Sequence, residues 1–176
     1  MGTYEILFDG VRVPDERLVG QVDHGWDCLR SGLQFERVTS TAGYCGAAQS
    51  VVDMAVEYAR ERKQFGKALI DHQAVGHMLA DMQTQVEAAR LMLWHAAWLL
   101  ATGGNALPAI SMAKLFGSEA YVNVANQGMQ VLGAFGYSME YDMQRHYRDA
   151  RSVTIGAGTS QIQRNLIAHL MKTDRM

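Results

Sequence analysis

The first regular pattern of apolar residues runs from about His24 to Arg60. Apolar side chains recur there at helical spacing, at Trp26, Leu29, Leu33, Tyr44, Ala48, Val51, Ala55 and Tyr58. This spacing places them along one face of an α-helix. The pattern therefore predicts a single long amphipathic helix.

Two more long helices are predicted by the same periodicity. One runs from Asp71, a plausible N-cap, to about Leu100, and the other from near Pro108 to about Leu132. Shorter helices are predicted for residues 141–151 and 160–171. Three long helices with short connections are most simply packed as a bundle, so the predicted fold class is all-α, an up-down helical bundle.

The first 22 residues do not follow the helical pattern. Residues 3–7 favour a β-strand, and Asp9-Gly10 favours a turn. No other segment offers a partner strand, and a lone strand cannot satisfy its backbone N–H and C=O groups. We interpret residues 1–22 as the tail of a missing sheet with its linker, and residues 23–176 as the helical domain.

Charge and hydropathy narrow the classes of partner. The formal net charge is -2 with scattered signs, so no basic stripe for nucleic acid or an anionic membrane surface is predicted. No apolar run approaches the roughly 20 residues that span a bilayer, and we expect a cytoplasmic protein. His72 and His77 are off the spacing that places two ligands on one helix face, so no metal site is predicted.

Cations cluster directly after the first predicted helix, in the run ERKQFGK at residues 61–67. Arginine offers bidentate donors to a phosphate group, and glutamine adds neutral donors. Cations at a helix C-terminus also complement the helix dipole while they stay solvated. From the residues alone, both a phosphate site and a solvated helix end are open.

Two glycine-containing segments adjoin predicted helix ends. The run QVLGAFGY at residues 130–137 ends the third helix, where glycine either caps the helix or lets a ligand approach the backbone. The run IGAGTSQIQR at residues 155–164 enters the last helix. Thr159 and Ser160 there either bind a polar group such as phosphate or form an ordinary N-cap.

Taken in order, these segments resemble the motifs of the acyl-CoA dehydrogenase family. The matching runs are ERKQFGK with DHQAV at residues 71–75, QVLGxxGY, and RDAR at residues 148–151 followed by GTSQIQR. Together they cover nearly the whole chain. The resemblance implies the family's C-terminal helical domain, preceded in residues 1–22 by a remnant of its middle β-domain, and it implies FAD as cofactor.

The resemblance also assigns two sets of FAD-binding residues. The set for a neighbouring subunit's FAD comprises Arg62, Gln64, Phe65, Gln73, Gln130 and Gly133. The set for the subunit's own FAD comprises Thr159 and Gln161. A cofactor shared between subunits implies a homo-oligomer, a dimer or a tetramer, or a partner subunit that supplies the missing domains.

The catalytic base is predicted at Glu36. Many family members carry a glutamate directly before the Gly-Thr of the last motif, but this chain has Ala157 in the corresponding place. Glu36 matches the position that the isovaleryl-CoA and long-chain dehydrogenases use instead, and Arg37 and Gly158 are implied in substrate binding. Glu36 also falls in line with Leu29 and Leu33 on an otherwise apolar helix, where a charge needs a partner or a function. The alternative is a surface ion pair between Glu36 and a nearby cation.

The implied activity is FAD-dependent α,β-dehydrogenation of an acyl-CoA in fatty acid metabolism, with an electron-transfer protein as acceptor. The middle β-domain and an N-terminal helical domain are missing, so we expect the chain to be inactive alone. The alternative is a non-catalytic module that oligomerises with a full-length partner and completes its FAD site.

Overall fold

The computed structural model describes residues 3–175, and the side chain of Ser31 lies outside the description. Its helices are α1 (Gly25–Glu61), α2 (Gln73–Ala101), α3 (Leu107–Leu132), α4 (Ala134–Tyr137), α5 (Met143–Val153) and α6 (Ser160–Lys172). A two-residue antiparallel hairpin, β1 (Lys63–Gln64) and β2 (Lys67–Ala68), follows α1. Short 3₁₀ turns cover Asp15–Arg17 and Leu69–Asp71. The predicted all-α bundle is confirmed.

Helix α3 forms the centre of the bundle and contacts α1, α2, α5 and α6. It is rich in alanine, glycine and serine, which allow neighbouring helices to approach closely. A Cβ atom added at Gly128 would lie 2.6 Å from Val51 Cγ1 of α1, closer than such atoms approach in practice. Small residues on α3 therefore determine how tightly α1 packs in the core.

The structure differs from the sequence-based expectation at two places. The strand expected at residues 3–7 is not formed, because the described strands within residues 3–175 are β1 and β2, which pair only with each other. The apolar side chains of residues 3–14, such as Phe8 at 78% exposure, face outward. Asp71 does not cap α2: it ends a 3₁₀ turn, and His72 takes the N-cap position without a side-chain hydrogen bond.

Candidate active site

The chain between α5 and α6 turns through two residues with left-handed backbone angles. Ala157 has a φ of 56° and Gly158 a φ of 88°. Such angles favour glycine and are unusual for alanine, so surrounding contacts must hold this turn in place. We call residues 154–159 the α5–α6 loop.

Three side chains from three helices hold the carbonyl groups of this loop. Lys114 of α3 donates from Nζ to Gly158 O at 2.8 Å and to Val153 O at 3.1 Å. Arg37 of α1 donates from Nε to Ala157 O at 3.2 Å. Gln163 of α6 donates from Nε2 to Gly158 O at 3.2 Å, with a longer contact to Ala157 O. The loop is therefore anchored from beneath by the bundle itself.

Two of these donors are buried cations. Lys114 is fully buried and Arg37 is 8% exposed. Burial lowers the pKa of Lys114, and the positive charge of Arg37 lowers it further. Burial also lowers the pKa of Arg37, partly opposed by the Glu36 carboxylate. Neither cation forms an ion pair with a carboxylate of residues 3–175, so backbone carbonyls are their nearest acceptors.

A cleft of about 510 Å³ lies beside the loop, between α1 and α5. Glu36 lines it from α1, and Gly156 and Ala157 line it from the loop. The Glu36 carboxylate accepts a hydrogen bond from Ser40 Oγ at 2.9 Å and is exposed. The surface ion pair considered for Glu36 is not formed within the described part of the chain. Glu36 is thus a carboxylate at an accessible cavity.

The floor of this cleft contains a buried hydrogen-bonded pair from α3 and α5. Tyr121 Oη lies 2.9 Å from His146 Nδ1, and both residues line the cleft. Burial raises the pKa of Tyr121 to about 12, with the Asp149 carboxylate adding to the rise. Burial also lowers the pKa of His146. Both side chains are therefore uncharged near neutral pH, and the hydrogen bond joins a neutral phenol to a neutral imidazole.

A second cavity, of about 270 Å³, lies on the other side of the same loop. Arg151, Thr159, Ser160 and Gln161 line it at the N-terminus of α6. Thr159 Oγ1 accepts from the Ile162 N–H at 3.2 Å, so the expected N-cap is formed by Thr159. The Ser160 hydroxyl is buried and has no hydrogen-bond partner among the described residues. An unpaired buried hydroxyl beside an arginine and a helix N-terminus is chemistry that fits a phosphate-bearing group.

The other predicted FAD-binding set lies at the far end of α1. Arg62 is the C-cap of α1, and Gln64 and Phe65 stand on the exposed hairpin, where Phe65 is 93% exposed. The Phe65 ring meets His72 edge-on, with ring centroids 6.2 Å apart. His72 Nε2 also lies 3.1 Å from Gln64 O, which ties the hairpin to the start of α2, where Gln73 is exposed.

The hairpin also adjoins the turn that ends α3. The Arg62 guanidinium carbon lies 5.7 Å from the centroid of the Phe135 ring, directly after this turn. Gly133 caps α3 with a φ of 60°, and Gln130 is exposed on the last turn of the same helix. The structure thus brings the predicted neighbour-facing residues together at one end, about 39 Å from Glu36 along α1 at 1.5 Å per residue.

Several residues of the site were given no role from the sequence, although Arg151 and Gln163 stand within the matching runs RDAR and GTSQIQR. They are Lys114, Tyr121, His146, Arg151 and Gln163. Lys114 carried a usable signal, because it falls one turn after Ile110 and two turns before Tyr121 on the buried face of an apolar helix. Gln163 and His146 lie in polar stretches, where nothing in the pattern marks them as buried.

No helix among residues 3–175 has both the length and the apolar character that crossing a membrane requires. No three or more His, Cys, Asp or Glu side chains of that part of the chain are grouped to hold a metal ion.

Comparison with known proteins identifies the class. The model of the acyl-CoA dehydrogenase C-terminal domain matches residues 23–172. The chain is 40% identical over 169 residues to the caffeyl-CoA reductase–Etf complex subunit CarC of Acetobacterium woodii, covering 96% of this chain and 45% of CarC. The chain belongs to the acyl-CoA dehydrogenase family and corresponds to its C-terminal domain.

Solved structures agree with this assignment. Butyryl-CoA dehydrogenase from Megasphaera elsdenii superposes with a TM-score of 0.91 at 33% identity, covering 94% of this chain and 43% of that one. PigA in its FAD complex superposes with a TM-score of 0.89 at 29% identity, covering 95% of this chain and 44% of that one. The chain thus spans less than half the length of each of these relatives.

Proposed function

We propose that this domain supplies the catalytic base, Glu36, for FAD-dependent α,β-dehydrogenation of an acyl-CoA thioester. The observation that carries the proposal is that Glu36 and Ala157 line one cleft. Ala157 occupies the position at which many family members are expected to carry their base. The Glu36 carboxylate therefore lies at the same cleft that a glutamate at position 157 would line.

The chemistry requires a base beside the α-carbon of the thioester. The Glu36 carboxylate takes the α-proton, the carbon–carbon double bond forms, and the β-hydrogen leaves as hydride. FAD, when bound, accepts that hydride. Arg37 lies beside Glu36 with its guanidinium turned to the loop, so it orients the wall of the cleft and takes no part in proton transfer. The other proposed substrate contact, Gly158, directly follows Ala157 in the loop but is not among the residues that line the cleft.

Two sets of residues support FAD as the cofactor. Thr159 and Gln161 line the cavity with the unpaired Ser160 hydroxyl and Arg151, which fits the phosphate-bearing part of FAD. The hairpin set around Arg62 lies about 39 Å away along α1, a distance that one FAD cannot span while it serves Glu36. We therefore assign the hairpin set to the FAD of a neighbouring subunit in a homo-oligomer. An electron-transferring flavoprotein is the proposed acceptor.

The test uses a chimera in which residues 23–172 replace the matching domain of the Megasphaera elsdenii butyryl-CoA dehydrogenase. The chimera is expected to reduce an electron-accepting dye with an acyl-CoA. Glu36→Gln should lower kcat by about 10²–10⁴-fold, the range that a positioned base contributes, with bound flavin unchanged. Glu57→Gln, also exposed on α1, is the matched control and should retain turnover.

A second variant tests the position of the base. Adding Ala157→Glu to Glu36→Gln should recover part of the lost turnover, because both positions line the cleft. Unchanged turnover in Glu36→Gln would refute the base. A chimera that binds FAD and lacks turnover even with Glu36 intact would favour the non-catalytic module, which completes a partner's FAD site through the Arg62 hairpin.

A further inference from the structure

We propose that Lys114 is a positioning residue, whose ammonium group holds the α5–α6 loop and thereby fixes the Glu36 cleft and the Thr159 cavity relative to each other. The geometric part of this proposal stands on contacts within the chain. Its consequence for turnover rests on the function proposed above.

One ammonium group ties both ends of the loop. Val153 is the last residue of α5, and Gly158 lies two residues before α6 begins. Lys114 Nζ donates to the carbonyl of each, at 3.1 and 2.8 Å. A cation at the C-terminus of α5 is also favoured by the helix dipole. Removing Lys114 would therefore take the charged donor from both carbonyls at once and leave Gly158 O with only the neutral Gln163 donor.

The charge of Lys114 needs such an explanation. A fully buried lysine is costly, and a methionine of similar shape would fill the space beneath the loop without desolvating a charge. Packing alone therefore gives no reason for an amine at this position. Hydrogen bonding of the loop carbonyls does, because charge-assisted bonds are stronger than neutral ones.

The loop that Lys114 holds is the wall shared by the two cavities. Gly156 and Ala157 face the cleft of Glu36, whereas Thr154 and Thr159 face the other cavity. The Ser160 N–H donates to Thr154 O at 3.0 Å and joins the two ends of the loop. Lys114 binds the carbonyls of Val153 and Gly158 beside this bond, so a shift of the loop on its removal would weaken the bond and change both cavities together.

The first test is amide hydrogen exchange on the 176-residue chain carrying Lys114→Met. The probes are the Gly156 N–H, bonded to Ser152 O, and the Ser160 N–H, bonded to Thr154 O. Exchange at both should quicken at least tenfold, while amides of α2 keep their protection. Lys67→Met is the matched control: Lys67 Nζ also donates to a carbonyl, Asp71 O at 2.8 Å, but at the exposed hairpin. It should leave both probes unchanged.

A folded Lys114→Met chain with unchanged exchange at both probes would overturn the proposal. If that variant does not fold, Lys114→Gln takes its place, since its shorter side chain keeps a neutral donor. It should quicken exchange at the two probes by a smaller factor, and no change there would equally overturn the proposal.

The second test measures kinetics in the butyryl-CoA dehydrogenase chimera. Lys114→Met should lower kcat at least tenfold and weaken FAD binding, with little change in KM, because the loop borders the reacting carbon and the cofactor cavity together. A purely destabilising change would lower the active fraction and leave the kcat of the folded enzyme and its affinity for FAD unchanged, which would contradict the proposal. The exchange result is independent of Glu36→Gln, so a failed base assignment and a failed positioning role are distinguishable.

Discussion

The α5–α6 loop and the hairpin after α1 make an instructive pair. Both are glycine-containing turns with predicted FAD-binding residues, and both hold a non-glycine residue at positive φ, Ala157 and Phe65. The loop is anchored from beneath by buried donors on three helices, whereas the hairpin extends outward with Phe65 almost fully exposed. The α5–α6 loop is therefore held in place by the chain's own contacts, whereas the hairpin lacks such contacts on its exposed side.

This difference fits the two roles assigned to the regions. A site that serves the chain's own chemistry needs its groups fixed before substrate arrives, because misplacement by an ångström is costly in rate. A site proposed to reach a neighbouring subunit would gain its order on assembly, when the partner would bury the exposed Phe65 ring and the Arg62 guanidinium. Anchoring in one region and exposure in the other are the expected physical signs of these roles.

The largest effect is expected from a methyl group added to the α5–α6 loop, compared with the same change in the hairpin. In Gly158→Ala the new Cβ would lie 3.0 Å from Gln163 Nε2 and 3.4 Å from the Arg37 guanidinium, at a φ of 88°. In Gly66→Ala the φ is 82°, but nothing lies within 4 Å. Gly158→Ala should lower the free energy of unfolding by about 2–3 kcal/mol and Gly66→Ala by about 1 kcal/mol.

Chemical denaturation of the two variants measures both values. Because the backbone strain is nearly equal in the two turns, their difference isolates the packing beneath the loop. Equal losses of stability would show that the loop is no more constrained than the hairpin.

A comparable effect is expected at alkaline pH from the floor of the Glu36 cleft. Tyr121 has a pKa raised from 10.0 to about 12 in the folded chain. Its contribution to stability is fully present below pH 10 and is lost as the pH rises through 12, because the unfolded chain loses this proton first. The loss should approach about 2–3 kcal/mol, following from a shift of this size.

Denaturation between pH 9 and pH 12 measures this loss. Tyr121→Phe should remove that part of the pH dependence, while Tyr137→Phe, at an exposed tyrosine, should leave it in place. If the free energy of unfolding falls with pH as steeply in Tyr121→Phe as in the wild-type chain, burial does not raise the pKa of this tyrosine.

The smallest effect on stability is expected at the tip of the hairpin. Phe65→Ala removes an exposed ring and should change the free energy of unfolding by less than about 0.5 kcal/mol. Phe135→Ala is the matched control: its ring contacts Tyr58 and Tyr141 in addition to the Arg62 guanidinium, so its loss should be larger. Thermal unfolding of both variants makes the comparison. A marked loss in Phe65→Ala would mean that the hairpin is part of the core.

The sequence by itself determined the helices and their order. The observed bounds of α1, Gly25–Glu61, differ from the predicted 24–60 by a single residue at each end. The agreement is close because the helical spacing of apolar residues is visible in the local sequence. The motif order was enough to indicate the family and to choose Glu36 as base, and the base remains a prediction. No strand forms at residues 3–7, because a strand depends on a partner and the described chain places none beside it. The interpretation of residues 1–22 as the tail of a missing sheet stays a prediction.

Only the tertiary structure decided which residues act together. Lys114, Arg37 and Gln163 come from three helices and are far apart in sequence, so no local pattern shows that they converge on one loop. It also divided the predicted FAD-binding residues between two ends of the bundle. The distance between Glu36 and Arg62 along α1 can be calculated from the sequence, because a helix rises by a fixed amount per residue. The burial of Lys114 and the carbonyls to which it donates depend on how the helices pack.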